Sequence, residues 1–340
     1  MGKRKRSNYK VPRKSSFSNK KTYYTKEDIF ISRMASILRV SKGEIKNIFS
    51  QRARTTIRVN GLKGDVNETV QLLKKRDLIL IPIKWGPNIY FVDNKDKSEI
   101  SQLEEYRQGR FYIQDLSSIL ATLVLNPQKD DTILDMCSAP GSKTTHIADI
   151  TKNKAKILAN ELEVSRTNSL RNVTEQFGAD SVKITLSDGR DFGKKYPDYF
   201  DRVLLDSPCS GEGRIYLRGQ KPLRFWSIKK IKSLSFLQRD LIESAFITLK
   251  TGGTLLYSTC TLEPEENEGI VTYLLKKHSN AKLEEIKIVK SDGFEKFRNY
   301  IQKGITHWSG NDYHPDIEKS IRIIPSSEMM GFYIAKITKV

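Results

Sequence analysis

Three residues of the 340-residue chain can serve both as nucleophile and as leaving group: Cys137, Cys209 and Cys260. Each follows an apolar run of strand length. Cys137 lies in "TILDMCSAPGSKTTHIADI", Cys209 in "LLDSPCSGEGR" and Cys260 in "GGTLLYSTCTLEPEENEG". Three widely separated cysteines make no disulfide framework and no CxxC metal pair. As thiols they suit covalent catalysis, provided a basic or dipolar environment favours the thiolate. The alternative is three buried core cysteines, the common fate of free Cys. The four histidines show no ligand spacing, so no metal site is expected. A reducing cytoplasm is the simplest compartment that keeps free thiols available.

The elements that must position these thiols follow from the hydrophobic pattern. Past residue 100, "TILDMC", "AKILANE", "SVKITLSD", "FDRVLLDSP" and "GGTLLYSTC" are apolar runs of strand length. Helical patterns separate them: "SKTTHIADI", "EVSRTNSLRNVTEQFG", "SIKKIKSLSFLQRDLIESAFITLK" and "PEENEGIVTYLLKKH". Strands buried on both faces and alternating with helices predict an α/β fold with a doubly wound, mostly parallel sheet. "GFYIAKI" reads as a further strand, expected antiparallel at the edge.

Ligands bind such sheets beyond the carboxyl ends of the strands. The first strand ends at Asp135 and runs into "CSAPGSK", where Pro140 and Gly141 turn the chain and Ser142 is placed to cap the next helix. A loop of small residues lets backbone N–H groups approach a ligand. The second strand ends at Glu161, an acid placed to take both hydroxyls of a ribose. The third runs into "SDGRDF", where Asp188 can accept from an exocyclic adenine amine. Each acid alone is an ordinary cap or loop residue. Three successive strand ends shaped for an adenosine are harder to dismiss.

The formal net charge is +19, and the first 26 residues hold ten Lys or Arg and no acid. The remaining chain is therefore basic too, which suits a polyanion, most simply nucleic acid. Residues 1–25 read as a disordered basic arm. Residues 26–100 read as a small α/β module: helices in "KEDIFISRMASILRVSKGEIKNIF", a strand in "TTIRVNGLKG", a helix in "DVNETVQLLKKRD" and strands in "LILIPIKWGPNIYFVD". Charge and exposed aromatics such as Trp85 would let it grip RNA. The alternative is a packing domain with a core Trp. Residues 101–340 form the larger α/β domain. No apolar run spans a membrane and no secretory signal is present. The segment "GEGRIYLRGQKPLRFWS" after Cys209 is basic, with Tyr216, Phe225 and Trp226 interleaved, as a loop closing over a flipped base would be. Trp308 and His314 fall in a stretch without regular pattern.

"DMCSAPGSKT", "LLDSPCSGEGR" and "YSTCTLEPEENE" resemble the signature segments of the RsmB/NSUN-type RNA cytosine-C5 methyltransferases. "GRFYIQDLSSIL" resembles the family's lead-in and "RIIPSSEMMGFYIAKI" its closing strand, so the likeness covers about residues 50–340. Ser207 departs from the usual Ala before Pro-Cys, and Ser138 and Ser142 from the usual Ala and Gly of the first loop. The resemblance implies a Rossmann-like fold and S-adenosylmethionine, with Cys137, Ser138, Ala139, Pro140, Gly141, Ser142, Lys143, Glu161, Arg166, Asp188 and Asp206 at the cofactor. It implies that Cys260 is the nucleophile and Cys209 assists release of the methylated base. DNA cytosine methyltransferases use the Pro-Cys thiol instead, so the reversed assignment is the rival. Asp206 is expected at the N3 and N4 edge of the cytosine. Lys143 is expected to face the active site and favour thiolate, the alternative being a surface helix lysine. A monomer acting on transfer RNA is expected, because the chain lacks a long extra domain. Ribosomal RNA is the alternative substrate, and the competing classes are a non-catalytic ribosome-assembly factor and a DNA methyltransferase.

Overall fold

A computed structural model describes residues 24–340. The expected basic arm lies outside the described residues except for Tyr24 and Thr25.

The first helix, Lys26–Leu38, starts at a reciprocal cap: Thr25 Oγ1 accepts from the Asp28 N–H at 3.1 Å, and Asp28 Oδ2 accepts from the Thr25 N–H at 3.0 Å. Ser41 and Glu44 repeat that device for the helix Lys42–Ile48. Such boxes satisfy backbone donors that helix ends leave free. The apolar face of the first helix carries Phe30, Ile31, Met34, Ile37 and Leu38. It does not cover the small sheet that follows. It packs on Leu223 and Trp226, beyond Cys209, and on Leu262, beyond Cys260.

The small sheet is antiparallel, in the order Leu80–Pro82, Ile89–Val92, Thr55–Val59, Phe111–Ile113. Its fourth strand lies past the boundary expected at residue 100. Ile57 pairs with Ile113 and Val59 with Phe111, and Phe111 shares a core with Ile57, Leu73 and Val92. The unit expected at 26–100 is thus divided: the helices of 26–48 leave it and residues 111–113 join it. Trp85 is not exposed. Its ring centroid lies 5.1 Å from that of Phe294 and 5.8 Å from that of Phe297. Arg58, fully buried in the small sheet, reaches Asp149 Oδ2 at 3.1 Å and Thr145 Oγ1 at 3.2 Å on the helix Ser142–Thr151. A buried charge must be paired, so this contact fixes the small sheet against the helix that carries Lys143.

Among the described residues the large sheet has nine strands. Five are parallel and lie in the order Leu249–Thr259, Phe200–Asp206, Thr132–Asp135, Lys156–Glu161, Val182–Leu186. Phe332–Lys339 runs antiparallel to Leu249–Thr259, as expected, but it is not an edge strand. Its other side pairs with Ala281–Glu284 and Ile321–Ile323, the latter continuing to Ile301–Lys303. Its first residues, Phe332 to Ala335, are buried, which an edge position would not give. Two apolar layers sandwich the sheet. Ile133, Leu204 and Leu256 face one layer, with Ile119, Leu120 and Ile147. Leu134, Val203, Leu205, Leu255 and Tyr257 face the other, with Ile242, Phe246 and Ile270. This alternation is the period of two that a strand imposes. No described helix is long and apolar enough to cross a membrane.

Candidate active site

The strand register brings the chemistry to one edge. Asp135 aligns with Ala159 and Leu204, and Asp206 aligns with Ser258. The carboxyl ends of neighbouring strands therefore face a common crevice. Ser258 Oγ donates to Asp206 Oδ1 at 2.8 Å, and Lys143 Nζ lies 2.6 Å from Asp206 Oδ2. Lys143 is only 7% exposed and is no surface lysine. Its ammonium also sits 5.4 Å from the centre of the Phe332 ring. Both oxygens of Asp206 are thus held in place by charge-assisted or hydroxyl hydrogen bonds.

Beyond these strands the two thiols converge, with Cys209 Sγ and Cys260 Sγ 3.3 Å apart. One proton between two sulfurs favours one thiolate and disfavours the other. The Cys260 thiol is pushed down, first by the hydrogen bond from Cys209 and then by the nearby charges of Arg214 and Lys143. The Cys209 thiol is pushed up by that same bond, by burial and by the charges of Glu266 and Asp206. The asymmetry favours the thiolate at Cys260 over Cys209. The Gly213 N–H donates to the Cys260 carbonyl at 2.9 Å, and the Gly331 N–H donates to the Gly213 carbonyl at 3.1 Å. A Cβ on either glycine would overlap the other's backbone, so the turn after Cys209 lies directly on the lead-in to the strand Phe332–Lys339.

The loop Cys137–Ser142 follows the Asp135 strand. Gly141 occupies the left-handed region at φ 111°, and the helix begins at Ser142. The expected Ser142 side-chain cap is absent, because Gly141 takes the cap position with backbone geometry alone. Ser142 is already helical, so its replacement of Gly costs the loop no needed conformational freedom. Ser138 donates from both its N–H, at 2.9 Å, and its Oγ, at 2.8 Å, to the Asn160 carbonyl. Asn160 Nδ2 in turn donates to the carbonyls of Met136 and Ser187, at 3.1 and 3.0 Å. Asn160 ties three strand ends together, and the only sequence signal was a polar residue inside "AKILANE".

Glu161 Oε1 accepts from the Leu162 N–H at 2.8 Å, while its Oε2 is buried without a hydrogen bond. Arg166 reaches back, lying 3.3 Å from Glu161 Oε2 and donating to the Ala139 carbonyl at 2.7 Å. Asp135 Oδ2 accepts from Thr144 at 2.7 Å, its Oδ1 has no partner, and burial pushes its carboxyl up to about 7. Burial, then Asp135 and Glu161, push the Cys137 thiol up, which leaves it a poor nucleophile. Asp188 is turned onto Arg190, with two contacts of 3.0 Å and one of 2.6 Å. The unpartnered oxygen of Asp135 and the Glu161 carboxylate braced by Arg166, beside a loop of small residues, fit a polar nucleoside-bearing group. Among the described residues no cluster of His, Cys, Asp and Glu is arranged to hold a metal ion.

Other features were not read from the sequence. Arg214 acts on Cys260 through its charge, and Ser210, Glu212, Gln238, Thr261 and Glu266 surround the thiol loops. The basic segment after Cys209 is anchored more firmly than expected. Trp226 is buried, its ring edge-on to Phe30 at 5.3 Å, whereas Phe225 stays 72% exposed. Tyr216 lies under the Arg52 guanidinium at 4.3 Å. Trp308 stands on a two-residue hairpin, His307–Trp308 with Asn311–Asp312, and His314 Nδ1 accepts from the Asp316 N–H at 3.2 Å.

The profile of the family described as 16S rRNA methyltransferase RsmB/F matches residues 122–338. The tRNA (cytosine(49)-C(5))-methyltransferase of Pyrococcus abyssi is 40% identical over 287 residues, which is 84% of this chain and 88% of that protein. The ribosomal RNA small subunit methyltransferase F of Shewanella sp. (strain MR-4) is 37% identical over 293 residues, 85% of this chain and 57% of that protein. The chain thus spans little more than half of the latter. Among solved structures, a methyltransferase homolog from Pyrococcus horikoshii matches with a TM-score of 0.74 at 27% identity, covering 92% of this chain and 99% of that one. NSun6 from Pyrococcus horikoshii with SFG matches with a TM-score of 0.72 at 25% identity, covering 91% and 97%. The sheet is that of the Rossmann-like methyltransferases.

Proposed function

Since the chain belongs to the RsmB/F methyltransferase family, we propose that it is an S-adenosylmethionine-dependent RNA cytosine-C5 methyltransferase. The observation that carries this reading is the thiol pair, 3.3 Å apart, beside the Lys143–Asp206 pair. Glu161, Asp188 and the loop Cys137–Ser142, with Arg166 bracing Glu161, would hold S-adenosylmethionine, which would supply an electrophilic methyl group. The chain's own residues prepare the other partner. C5 of cytosine is a weak nucleophile until a thiolate adds to C6, which leaves C5 with enamine-like electron density. Cys260 carries that thiolate, and Lys143 and Arg214 favour it by charge. Asp206, held by Lys143 and Ser258, presents a carboxyl to the N3 and N4 edge of the base. Once C5 is methylated its proton must leave and the Cys260–C6 bond must break. Cys209, in contact with Cys260, assists that release.

Transfer RNA is the substrate we favour. The transfer-RNA relative is 40% identical and is matched over 88% of its length. The small N-terminal sheet and the basic arm contribute RNA contacts, and the protein acts as a cytoplasmic monomer. Transfer of labelled methyl groups to unmethylated transfer RNA and ribosomal RNA, followed by bisulfite sequencing, tests the reading. A conversion-resistant cytosine in transfer RNA is expected. Transfer confined to ribosomal RNA would overturn the substrate, and transfer to neither the activity.

A further inference from the structure

Two buried acids stand behind the thiols, and the reaction as derived uses neither. Glu266 Oε2 accepts from the Ser210 N–H at 3.0 Å and from Gln238 Nε2 at 2.8 Å. Gln238 Nε2 also donates to the Pro208 carbonyl at 2.8 Å. The carboxyl therefore grips the residue on each side of Cys209, one directly and one through Gln238. Its other oxygen meets Ser210 Oγ. That hydroxyl lies 2.8 Å from Glu212 Oε2 and 3.1 Å from Thr261 Oγ1, which itself meets Glu212. Thr261 is the residue after Cys260. One continuous cluster thus joins the two loops that set the sulfur separation.

Its hydrogen-bond arithmetic favours an acid proton. Four oxygen–oxygen contacts link two hydroxyls and two carboxyls. Two hydroxyls bring only two protons, so a carboxyl proton adds a bond that two ionised acids could not make. Glu212, Glu266, Gln238 and Thr261 are all fully buried, and Ser210 is half-buried. The titratable groups facing Glu266 are Glu212, Cys209 and Tyr257, while the neighbouring Arg33 is engaged by Glu263 and Glu265. Burial, then the charge of Glu212, push the Glu266 carboxyl up to about 8.

We propose that Glu266, acting through Ser210 and Glu212, is a positioning residue for the two thiols: in its protonated form it locks the Cys209 loop against the Cys260 loop, and in its ionised form it lets Cys209 shift and stalls release of the methylated base. This inference rests on the proposed methyl transfer. It assigns a step, release, to a pair of acids that touch neither base nor cofactor.

The test measures turnover and the fraction of enzyme trapped as covalent RNA adduct, between about pH 6.5 and about pH 9. In the wild type the adduct fraction should climb as the pH passes about 8. Glu266→Gln keeps an uncharged, isosteric partner for Ser210 and Gln238. It should retain turnover within about threefold and show an adduct fraction independent of pH. Glu266→Ala should lower kcat about tenfold or more, with KM for RNA unchanged and adduct accumulating at every pH. Where Glu266→Ala does not fold, Ser210→Ala removes the shared hydroxyl and leaves both acids, and it too should accumulate adduct. Identical pH curves for wild type and Glu266→Gln, or a wild-type adduct fraction in Ser210→Ala, overturn the inference. A wild type that transfers no methyl group overturns the underlying activity instead, which separates the two failures.

Discussion

Arg33 Nε lies 2.6 Å from Glu263 Oε2, joining the first helix to the loop that follows Cys260. The same guanidinium reaches Glu265 at 2.7 Å and stacks 5.3 Å from the Trp308 ring centre. Glu263 is fully buried, and burial pushes its carboxyl well up in spite of Arg33. A helix outside the family-matched residues 122–338 is therefore tied to the loop that follows Cys260. Arg33→Ala should cost about 3 kcal/mol of stability, because it strands a buried acid. Arg33→Lys should recover only part of this, since an ammonium cannot fork to two carboxylates. Urea unfolding of both variants checks it, and a loss below about 0.5 kcal/mol in Arg33→Ala would refute it.

The thiol roles separate by substitution. Cys260→Ala should abolish both turnover and covalent trapping of RNA. Cys209→Ala should stop turnover but accumulate the adduct. Denaturing gels read both outcomes, and an adduct in Cys260→Ala with none in Cys209→Ala would exchange the assignments.

Lys143 is buried against Asp206 and carries charge toward Cys260. Lys143→Met should reduce kcat about 100-fold, the scale of losing one electrostatic partner in a closed site. KM for RNA should change less than about threefold, as the residue is not at the surface. Steady-state kinetics decide it, and a large rise in KM with kcat intact would make Lys143 a binding residue.

Glu266 also sets a pH dependence of stability. Its folded-state carboxyl is raised from the ordinary 4.5 to about 8, so the native state holds a proton that the unfolded chain gives up. The stability it contributes is complete below the unfolded value and is lost as pH rises through about 8. The limiting slope is about 1.4 kcal/mol per pH unit. Glu266→Gln cannot lose a proton there. Its Tm relative to wild type should therefore rise between about pH 5 and about pH 8. A constant difference across that range would contradict the shift.

Strand and helix were legible wherever a local period carried them. "FDRVLLDSP" and "GGTLLYSTC" could be placed because both faces of each strand are buried, and the thiols came with them. Partnership between distant segments was not legible. Trp85 and Trp226 look alike in sequence to exposed RNA-gripping aromatics, yet each is covered by residues far along the chain, Phe294 and Phe297 for one and Phe30 for the other. "GFYIAKI" reads as a strand, but nothing local says that it has neighbours on both sides. Nothing local marks the acids of "TLEPEENE" as buried. Their burial depends on Arg33, Ser210, Gln238 and Arg322, none of them nearby in the chain.

The strand Phe332–Lys339 lies within the sheet although it follows every strand it touches. Synthesis from the N-terminus delivers both thiol loops first and the backbone they rest on later. Until Gly331 meets Gly213, a nascent chain carries Cys260 and the turn after Cys209 without that backbone contact. The backbone that holds the turn after Cys209 is therefore the last part of the sheet to be made.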